Sequence, residues 1–266
     1  MVVKKEKPFS PGYTAITDIE TLHPEILLDF GILNLDRNQE FKSAEDRERA
    51  YLLINGRVRL EWDGQSVEAE RNSVFDEGPT VLHVPEKMDV TITGLSENAE
   101  LGVEKCRNEK AFDAKLYTPA DCRSDVFGAG TMQEASTRTV RTVFDGELAP
   151  WSNMVMGEVI THPGKWSSYP PHDHPHPEIY HYRFQPSQGF GVSLLDYDSH
   201  TVRDGDTCLI HPDRTHSQVT AAGYAMWYVW MIPHLPDDRW KPSTRYFRKE
   251  HEWLLDPDAE IWTQKE

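Results

Sequence analysis

The histidines of this chain are concentrated in one part of the sequence. Nine of the twelve lie within residues 162–234. His172 and His174 are two residues apart, so on an extended strand their side chains point to the same side. Glu178 follows after three intervening residues, and His216 comes 38 residues later. Three imidazoles and one carboxylate are nitrogen and oxygen ligands that suit a first-row divalent ion.

The ligand types in this cluster narrow the choice of metal. No cysteine lies among them, which disfavours a structural zinc site of the thiolate type. We expect one divalent ion, Zn²⁺ or Mn²⁺, although Fe²⁺, Co²⁺ and Ni²⁺ accept the same ligands. His176 is an ambiguous neighbour that either replaces His174 as a ligand, moves protons at the rim, or has no role. The alternative for the whole cluster is a group of surface histidines in a proline-rich loop.

Strand parity identifies candidate residues for chemistry beside the metal. On a strand that starts at Glu178, Tyr180 and Tyr182 share the face of that carboxylate. Both tyrosines are therefore candidate catalytic hydroxyl donors, or else ordinary aromatic residues of the core. Glu158, on the preceding strand, is a candidate general base, with a structural or solvated carboxylate as the alternative.

Other charged residues near the cluster each allow two interpretations. His181 and Arg183 have the opposite parity to Glu178, which predicts an outer surface or a contact between modules or subunits. An acidic substrate needs a nearby cation, and Arg141 and Lys165 are candidates between which parity does not choose.

Short segments of alternating hydrophobicity lie on both sides of a polar connector at residues 107–136. The clearest is residues 51–64, where Asn55-Gly56 is a strong hairpin signal and Asp63-Gly64 gives a second turn. Strands at this spacing, without long helical periods, predict an all-β fold of sandwiches or barrels. Residues 233–266 are predicted to form a packed tail with one short helix at most.

The charge and cysteine content exclude several classes of function. The net charge is −16 and the sequence pI is about 5.2, which disfavours binding to nucleic acid or to an anionic membrane surface. Three cysteines without a CxxC motif fit a reducing compartment, so we expect a cytoplasmic protein. The N-terminal segment lacks the apolar stretch of a secretory signal. No apolar run approaches the roughly 18–20 residues that span a bilayer.

The spacing of the candidate ligands resembles the two cupin motifs. Seven residues separate Gly164 from the HxH and Glu set, two more than is usual in the first motif. The second motif is matched by Gly205 and His216, with His211 in place of its usual proline and Asp213 in place of its turn glycine. Asp tolerates the left-handed backbone conformation that such a turn requires.

A more specific resemblance is to the 5-deoxy-glucuronate isomerase family of myo-inositol catabolism. It rests on GKWSSYPPHDHPHPEIYHYRFQPSQGF (164–190), with further likeness in SVFDEGPTVLHVP (73–85) and GYAMWYVWMIP (223–233). The loop between HxH and Glu is shorter than in many members. Tyr-His-Tyr at 180–182 stands where many members have three tyrosines.

The resemblance implies a bicupin, two tandem jelly-roll-like β-barrel modules. We expect an N-terminal module at residues 1–130 and a C-terminal module with the metal site at 131–266. With only His23 and His83, the first module lacks a ligand set and is expected to cover an edge of the second. The alternative is that it holds a second binding pocket. The family also suggests a homo-oligomer, a dimer or a hexamer.

The activity implied by the resemblance is metal-dependent conversion of 5-deoxy-D-glucuronate, a small anionic sugar acid, to 5-dehydro-2-deoxy-D-gluconate. Three alternatives remain open at this point. One is a related uronate isomerase acting on 5-dehydro-4-deoxy-D-glucuronate, and another is an iron-dependent cupin dioxygenase. The third is a sugar-binding cupin without turnover.

Overall fold

The computed structural model describes residues 1–5 and 7–265, and its regular structure is almost entirely β-strand. The strands up to residue 117 are β1 (Val2–Val3), β2 (Gly12–Thr17), β3 (Asp29–Leu35), β4 (Glu40–Ser43), β5 (Glu48–Trp62), β6 (Gln65–Arg71), β7 (Val81–Val84), β8 (Val90–Gly94), β9 (Ala99–Cys106) and β10 (Lys115–Tyr117). The later strands are β11 (Arg123–Phe127), β12 (Arg138–Phe144), β13 (Met154–Thr161), β14 (Trp166–Ser167), β15 (His172–Asp173), β16 (Glu178–Gln185), β17 (Phe190–Leu195), β18 (Asp198–Arg203), β19 (Thr207–Ile210), β20 (Gln218–Thr220), β21 (Ala225–Pro233) and β22 (Tyr246–Phe247). Short 3₁₀ helices occur at Pro24–Ile26, Pro119–Asp121, Met132–Glu134, Pro242–Thr244 and Lys249–Leu255.

The strands pair into two β-modules. In the first, the strands follow the order β10-β7-β5-β9-β3-β2, and β4, β6 and β8 join the same sheet through β5. In the second, a seven-stranded sheet with the order β1-β19-β16-β21-β13-β12-β11 faces a four-stranded sheet with the order β14-β20-β17-β18. The predicted all-β architecture is therefore confirmed.

Long strand β5 departs from the predicted hairpin at Asn55-Gly56. The strand runs without a turn through this pair, and its register against β9 shifts between Leu53 and Asn55. Gly56 has φ +91°, and a Cβ there would lie 2.8 Å from the Cα of Ala99, so the glycine permits a bulge. The hairpin instead forms at Asp63-Gly64, as predicted, where Trp62 pairs with Gln65.

Three apolar cores explain how the modules hold together. One cluster fills the first barrel and includes Leu33 and Tyr51, and another fills the second barrel. The third cluster lies between the modules and joins residues such as Phe30 with Trp227. Each central sheet therefore buries both faces, one in its own barrel and the other against the neighbouring module.

Strand parity on β16 and β21 produces this double burial. Tyr182 of β16 and Tyr228 of β21 face the second barrel, whereas Trp227 and Val229 face the first module. His181 also points toward the first module, where its ring lies 5.5 Å from that of Phe30.

Arg183 follows the same parity and forms an ion pair with Glu100 of β9. For His181 and Arg183, the structure therefore selects the module contact from the two predicted locations.

The division of the chain near residue 130 stays a prediction, but the pairing of two strands bears on it. Strand β11 ends at residue 127 and already pairs with β12 of the second module. Strand β1 also leaves the first module and pairs with β19. Within residues 1–5 and 7–265, no helix is both long and apolar enough to cross a lipid bilayer.

The segment after β21 is more structured than the sequence suggested. It contains the two 3₁₀ helices Pro242–Thr244 and Lys249–Leu255, not one at most, and also strand β22. This strand pairs antiparallel with β15, so that Phe247 lies opposite His172 and Tyr246 opposite Asp173. The tail therefore contacts the segment that carries the predicted metal ligands.

Candidate metal centre and its cavity

The predicted ligands come from three neighbouring segments of the second barrel. His172 lies on β15, and His174 follows it in the loop that leads to β16. Glu178 is the first residue of β16, and His216 lies just before β20. All four side chains are buried, with 2–5% of each residue exposed. Buried polar groups are unfavourable unless they have partners, so each of these side chains is expected to bond to a neighbouring group.

The three imidazoles are held in the same way by the backbone. Nδ1 of His172 lies 2.9 Å from the carbonyl oxygen of Pro170, and Nδ1 of His174 lies 2.9 Å from that of His176. Nδ1 of His216 is 2.9 Å from the carbonyl oxygen of Arg214. Because a carbonyl can only accept, each Nδ1 must carry the proton, and each Nε2 keeps its lone pair. This pattern is typical of metal-ligating histidines.

The ligand atoms of His174, Glu178 and His216 all lie within 4.8 Å of one another. Oε2 of Glu178 is 3.4 Å from Nε2 of His174 and 3.3 Å from Nε2 of His216. This oxygen is buried and has no hydrogen-bond partner among the described residues. An unsatisfied carboxylate oxygen beside two lone-pair nitrogens fits a divalent cation, so these residues form a candidate metal site.

His172 stands slightly apart from this set of three. Its ring centre lies 5.1 Å from that of His216, and its edge also packs on Phe247 at 5.3 Å. Burial lowers the pKa of His172 well below its usual range, and the nearby His216 lowers it further. Burial likewise lowers the pKa of His216. Both rings are neutral at pH 7, which is the form that binds a metal.

His176 is placed away from the candidate site. Its Nε2 lies 2.6 Å from the carbonyl oxygen of Asp238, which belongs to the tail. His174 bonds to the backbone carbonyl of His176 and not to its ring. The ring of His176 therefore connects the loop to the tail, and His174, not His176, lies in the candidate site.

The two candidate tyrosines have different surroundings. Tyr180 lines the cavity beside the metal site, and its hydroxyl lies 2.9 Å from Oγ of Ser168. Burial raises the pKa of Tyr180 well above its usual range, so its hydroxyl stays protonated and can donate. Tyr182 lies deeper and donates to Oε1 of Gln218 at 2.9 Å. It is not among the cavity-lining residues.

Glu158, the candidate base, is not brought to the cavity. It is fully buried on the opposite face of β13, where Arg71 of the first module bonds to both of its oxygens at 2.7 and 3.0 Å. Arg141 adds a contact of 3.3 Å. Its neighbour Val159 lines the cavity instead. The carboxylate joins the modules, which favours the predicted alternative of a structural role for Glu158.

The cavity beside the ligands has a volume of about 230 Å³ and is lined by several arginines that the sequence analysis did not single out. They are Arg123, Arg138 and Arg245. Arg141 bonds to Glu158 and to the backbone of the first module, and Lys165 is not among the lining residues. Strand parity could have identified Arg138, because it shares a face of β12 with Val140, which also lines the cavity. No sequence signal pointed to Arg245.

Comparison with protein families matches residues 1–254 to the KduI/IolB family. A protein from Shouchella clausii named 5-deoxy-glucuronate isomerase is 27% identical over 272 residues, covering 94% of this chain and 96% of its own. A protein of the same name from Bacillus subtilis strain 168 is 23% identical, with 93% and 95% coverage. The names of these relatives indicate an enzyme of the isomerase class.

Solved structures support the fold. An IolB-like protein from Salmonella typhimurium LT2 superposes with a TM-score of 0.82 at 18% identity, covering 94% of this chain and 97% of its own. The oxalate decarboxylase of Lactobacillus farciminis gives a TM-score of 0.62 at 12% identity, with 85% and 82% coverage. The predicted bicupin fold is therefore confirmed.

Proposed function

The chain belongs to the KduI/IolB family, and from that membership we propose that it is a metal-dependent isomerase converting 5-deoxy-D-glucuronate to 5-dehydro-2-deoxy-D-gluconate in myo-inositol catabolism. Relatives that cover nearly the whole chain carry the name of this activity. The observation that carries the metal requirement is the unsatisfied, buried oxygen of Glu178 between the Nε2 atoms of His174 and His216.

The proposed ligand set is His172, His174, Glu178 and His216. Three neutral imidazoles and one carboxylate leave a divalent ion with a net positive charge and open coordination positions. When bound, such an ion supplies Lewis-acid polarisation of a substrate carbonyl and hydroxyl. Zn²⁺ and Mn²⁺ are the ions we favour, and Fe²⁺, Co²⁺ and Ni²⁺ suit the same ligands.

The reaction moves hydrogen between neighbouring carbons and needs no outside oxidant. The proton on C2 is transferred to C1, and the proton of the C2 hydroxyl passes to the aldehyde oxygen, so the C2 hydroxyl becomes a carbonyl as the aldehyde becomes a primary alcohol. Negative charge develops on oxygen during this exchange. We assign to Tyr180 a hydrogen bond to that oxygen, which its position in the cavity wall and its contact with Oγ of Ser168 support.

Aromatic side chains form part of the cavity wall beside the site. The ring of Tyr228 packs at a tilt against that of Tyr180, with ring centres 4.3 Å apart, and its hydroxyl donates to Oγ of Ser167 at 3.0 Å. Trp230 and Trp240 form another part of the wall. Apolar surface of this kind lowers the local dielectric and strengthens the electrostatic interactions of the polar groups next to it.

The proposal is tested by supplying 5-deoxy-D-glucuronate to metal-loaded protein and following the ketose by NMR. We expect turnover by the wild type and its loss in His172→Ala and Glu178→Ala, with metal content measured on the same samples. His200→Ala, in the same module but away from the cavity, is the matched control. Unchanged turnover in both ligand variants would remove the metal from the mechanism.

A related uronate isomerase is the second candidate, because the matching family description joins KduI with IolB. Competition between 5-deoxy-D-glucuronate and 5-dehydro-4-deoxy-D-glucuronate, measured as a ratio of kcat/KM values, decides between the two. The same assay under anaerobic conditions addresses an iron-dependent dioxygenase. Loss of turnover without oxygen would favour that activity over the isomerase.

A further inference from the structure

Two arginines of the cavity have no acidic partner. Arg138 lies on β12 and Arg245 in the tail after β21, and both line the cavity beside the metal site. Among the described residues, neither comes within 4.0 Å of a carboxylate oxygen. The third lining arginine, Arg123, differs because it forms ion pairs with Asp145 and Glu147.

The two arginines are oriented by the backbone in ways that leave N–H groups unused. Nη1 of Arg138 donates to the carbonyl oxygen of Ser136 at 2.8 Å and to its Oγ at 3.0 Å. Nε of Arg245 donates to the carbonyl oxygen of Pro242 at 2.9 Å. Both terminal amino groups of Arg245 and one of Arg138 lack a protein hydrogen bond within the described chain. A guanidinium fixed in this way presents its remaining donors in a planar fork.

Arg138 and Arg245 are partly removed from water, and a bound anion in the cavity would compensate for this loss of solvation. Burial lowers the pKa of Arg245, and the nearby Tyr180 and Glu178 oppose that effect. Burial also lowers the pKa of Arg138, where the charge of Arg245 acts in the same direction. Two desolvated positive charges close to one another are unfavourable unless an anion joins them. In a chain of net charge −16, unpaired arginines in a cavity are an unexpected arrangement.

We propose that Arg138 and Arg245 together bind the carboxylate of the sugar-acid substrate, while its reacting carbons lie at the metal ligands. Guanidinium groups bind carboxylates through two parallel hydrogen bonds, which fixes orientation as well as position. Holding the far end of the substrate aligns C1 and C2 with Tyr180 and the metal site. This inference rests on the proposed function only for the identity of the sugar acid.

The other cations considered for this role are less suited to it. Arg141 is occupied by Glu158 and by backbone carbonyls of the first module. Lys165 lies in the loop before β14 and is not among the cavity-lining residues. Arg123 is already neutralised by Asp145. Among the described residues, Arg138 and Arg245 are the lining arginines that form no ion pair within 4.0 Å.

The first test separates KM from kcat with 5-deoxy-D-glucuronate. Arg138→Gln and Arg245→Gln are each expected to raise KM by about 10- to 100-fold, the range for losing hydrogen bonds to a charged group. A smaller change in kcat is expected. Arg138→Lys and Arg245→Lys keep the charge without the fork and should recover part of the loss. Lys165→Gln is the matched control and should leave KM unchanged.

The second test measures binding without turnover, using quenching of tryptophan fluorescence, since Trp230 and Trp240 line the cavity. The wild type should bind D-glucuronate more tightly than the neutral D-glucuronamide. The preference should disappear in the Arg138→Gln/Arg245→Gln double variant. Thermal melting identifies any unfolded variant, and the single Arg245 variants then decide, because Arg245 lies outside the barrel strands.

The outcomes distinguish this inference from the proposed function. Turnover of 5-deoxy-D-glucuronate with normal KM and an intact preference for the acid in the folded arginine variants would overturn the carboxylate site. Absence of turnover in the wild type, with an acid preference that depends on the arginines, would reject the isomerase and retain the carboxylate site.

Discussion

Arg71 of the first module and Glu158 of the second form a bidentate ion pair that is buried between the modules, with N–O distances of 2.7 and 3.0 Å. The pair lies on the opposite face of β13 from the cavity, and Arg141 completes it. A second polar contact between modules is made by Glu48, which accepts from Oγ of Ser152 and from the backbone amide of Asn153. These polar contacts therefore fix the orientation in which the apolar surfaces of the two modules pack.

Removing one partner of the Arg71–Glu158 pair is expected to destabilise the protein without abolishing its catalytic activity. Arg71→Met leaves Glu158 buried with only Arg141 as a cation, which should cost about 3–5 kcal/mol of unfolding free energy. Urea denaturation measures this loss. Glu158→Gln should keep its kcat where it remains folded. A fall in kcat of about 100-fold or more in folded Glu158→Gln would instead identify a general base.

The two tyrosines of β16 should differ in what their hydroxyls do. Tyr180→Phe removes a donor that faces the cavity and is expected to lower kcat by about 10²-fold or more with little effect on stability. Tyr182→Phe leaves Oε1 of Gln218 without its donor and should cost about 1–3 kcal/mol of stability while kcat is kept. Steady-state kinetics and urea denaturation of both variants check this. Equal kcat losses would place both hydroxyls at the substrate.

The histidines of the ligand loop provide a matched pair for metal binding. His174→Ala should lose the metal, because its Nε2 is one of three ligand atoms that lie close together. His176→Ala should retain about one ion per chain and lose roughly 1 kcal/mol with its bond to Asp238. Metal content after dialysis against a weak chelator measures the difference. If His176→Ala lost the metal and His174→Ala kept it, His176 would be the ligand and His174 would not.

His181 should make stability depend on pH. Burial lowers its pKa to about 3 from the usual 6.5, so between these values the unfolded chain binds a proton that the folded chain does not. Stability from this residue is therefore lost as pH falls below 6.5, by about 1.4 kcal/mol per pH unit. Urea denaturation at pH 7, 6 and 5 should show a shallower decline for His181→Asn. Identical slopes for wild type and variant would contradict this.

Much of the candidate site could be predicted because its signal is local. The HxH spacing places two imidazoles together, and Tyr180 follows from the parity of β16. Glu158 could not be placed in this way, because parity within β13 does not say which face meets the barrel interior. That choice depends on the packing of the two modules and on Arg71, 87 residues away in sequence.

Two other features required the folded structure for a similar reason. Asn55-Gly56 has the local character of a turn, but pairing of β5 with β9 keeps the strand extended through it. Arg245 lies in a tail without hydrophobic periodicity, and its place in the cavity depends on the pairing of β22 with β15. Long-range contacts decided both cases, and no pattern within either segment reports them.

Because β22 pairs with β15, residues 240–248 complete the site. They are also the last part of the site to be synthesised. A nascent polypeptide that has emerged only to Pro233 already contains every barrel strand and all four proposed ligands. It still lacks Trp240, Arg245 and the strand that holds His172. Premature termination or proteolytic clipping in this stretch would therefore leave the pocket unfinished, and loss of Trp240 would uncover part of the core of the second barrel.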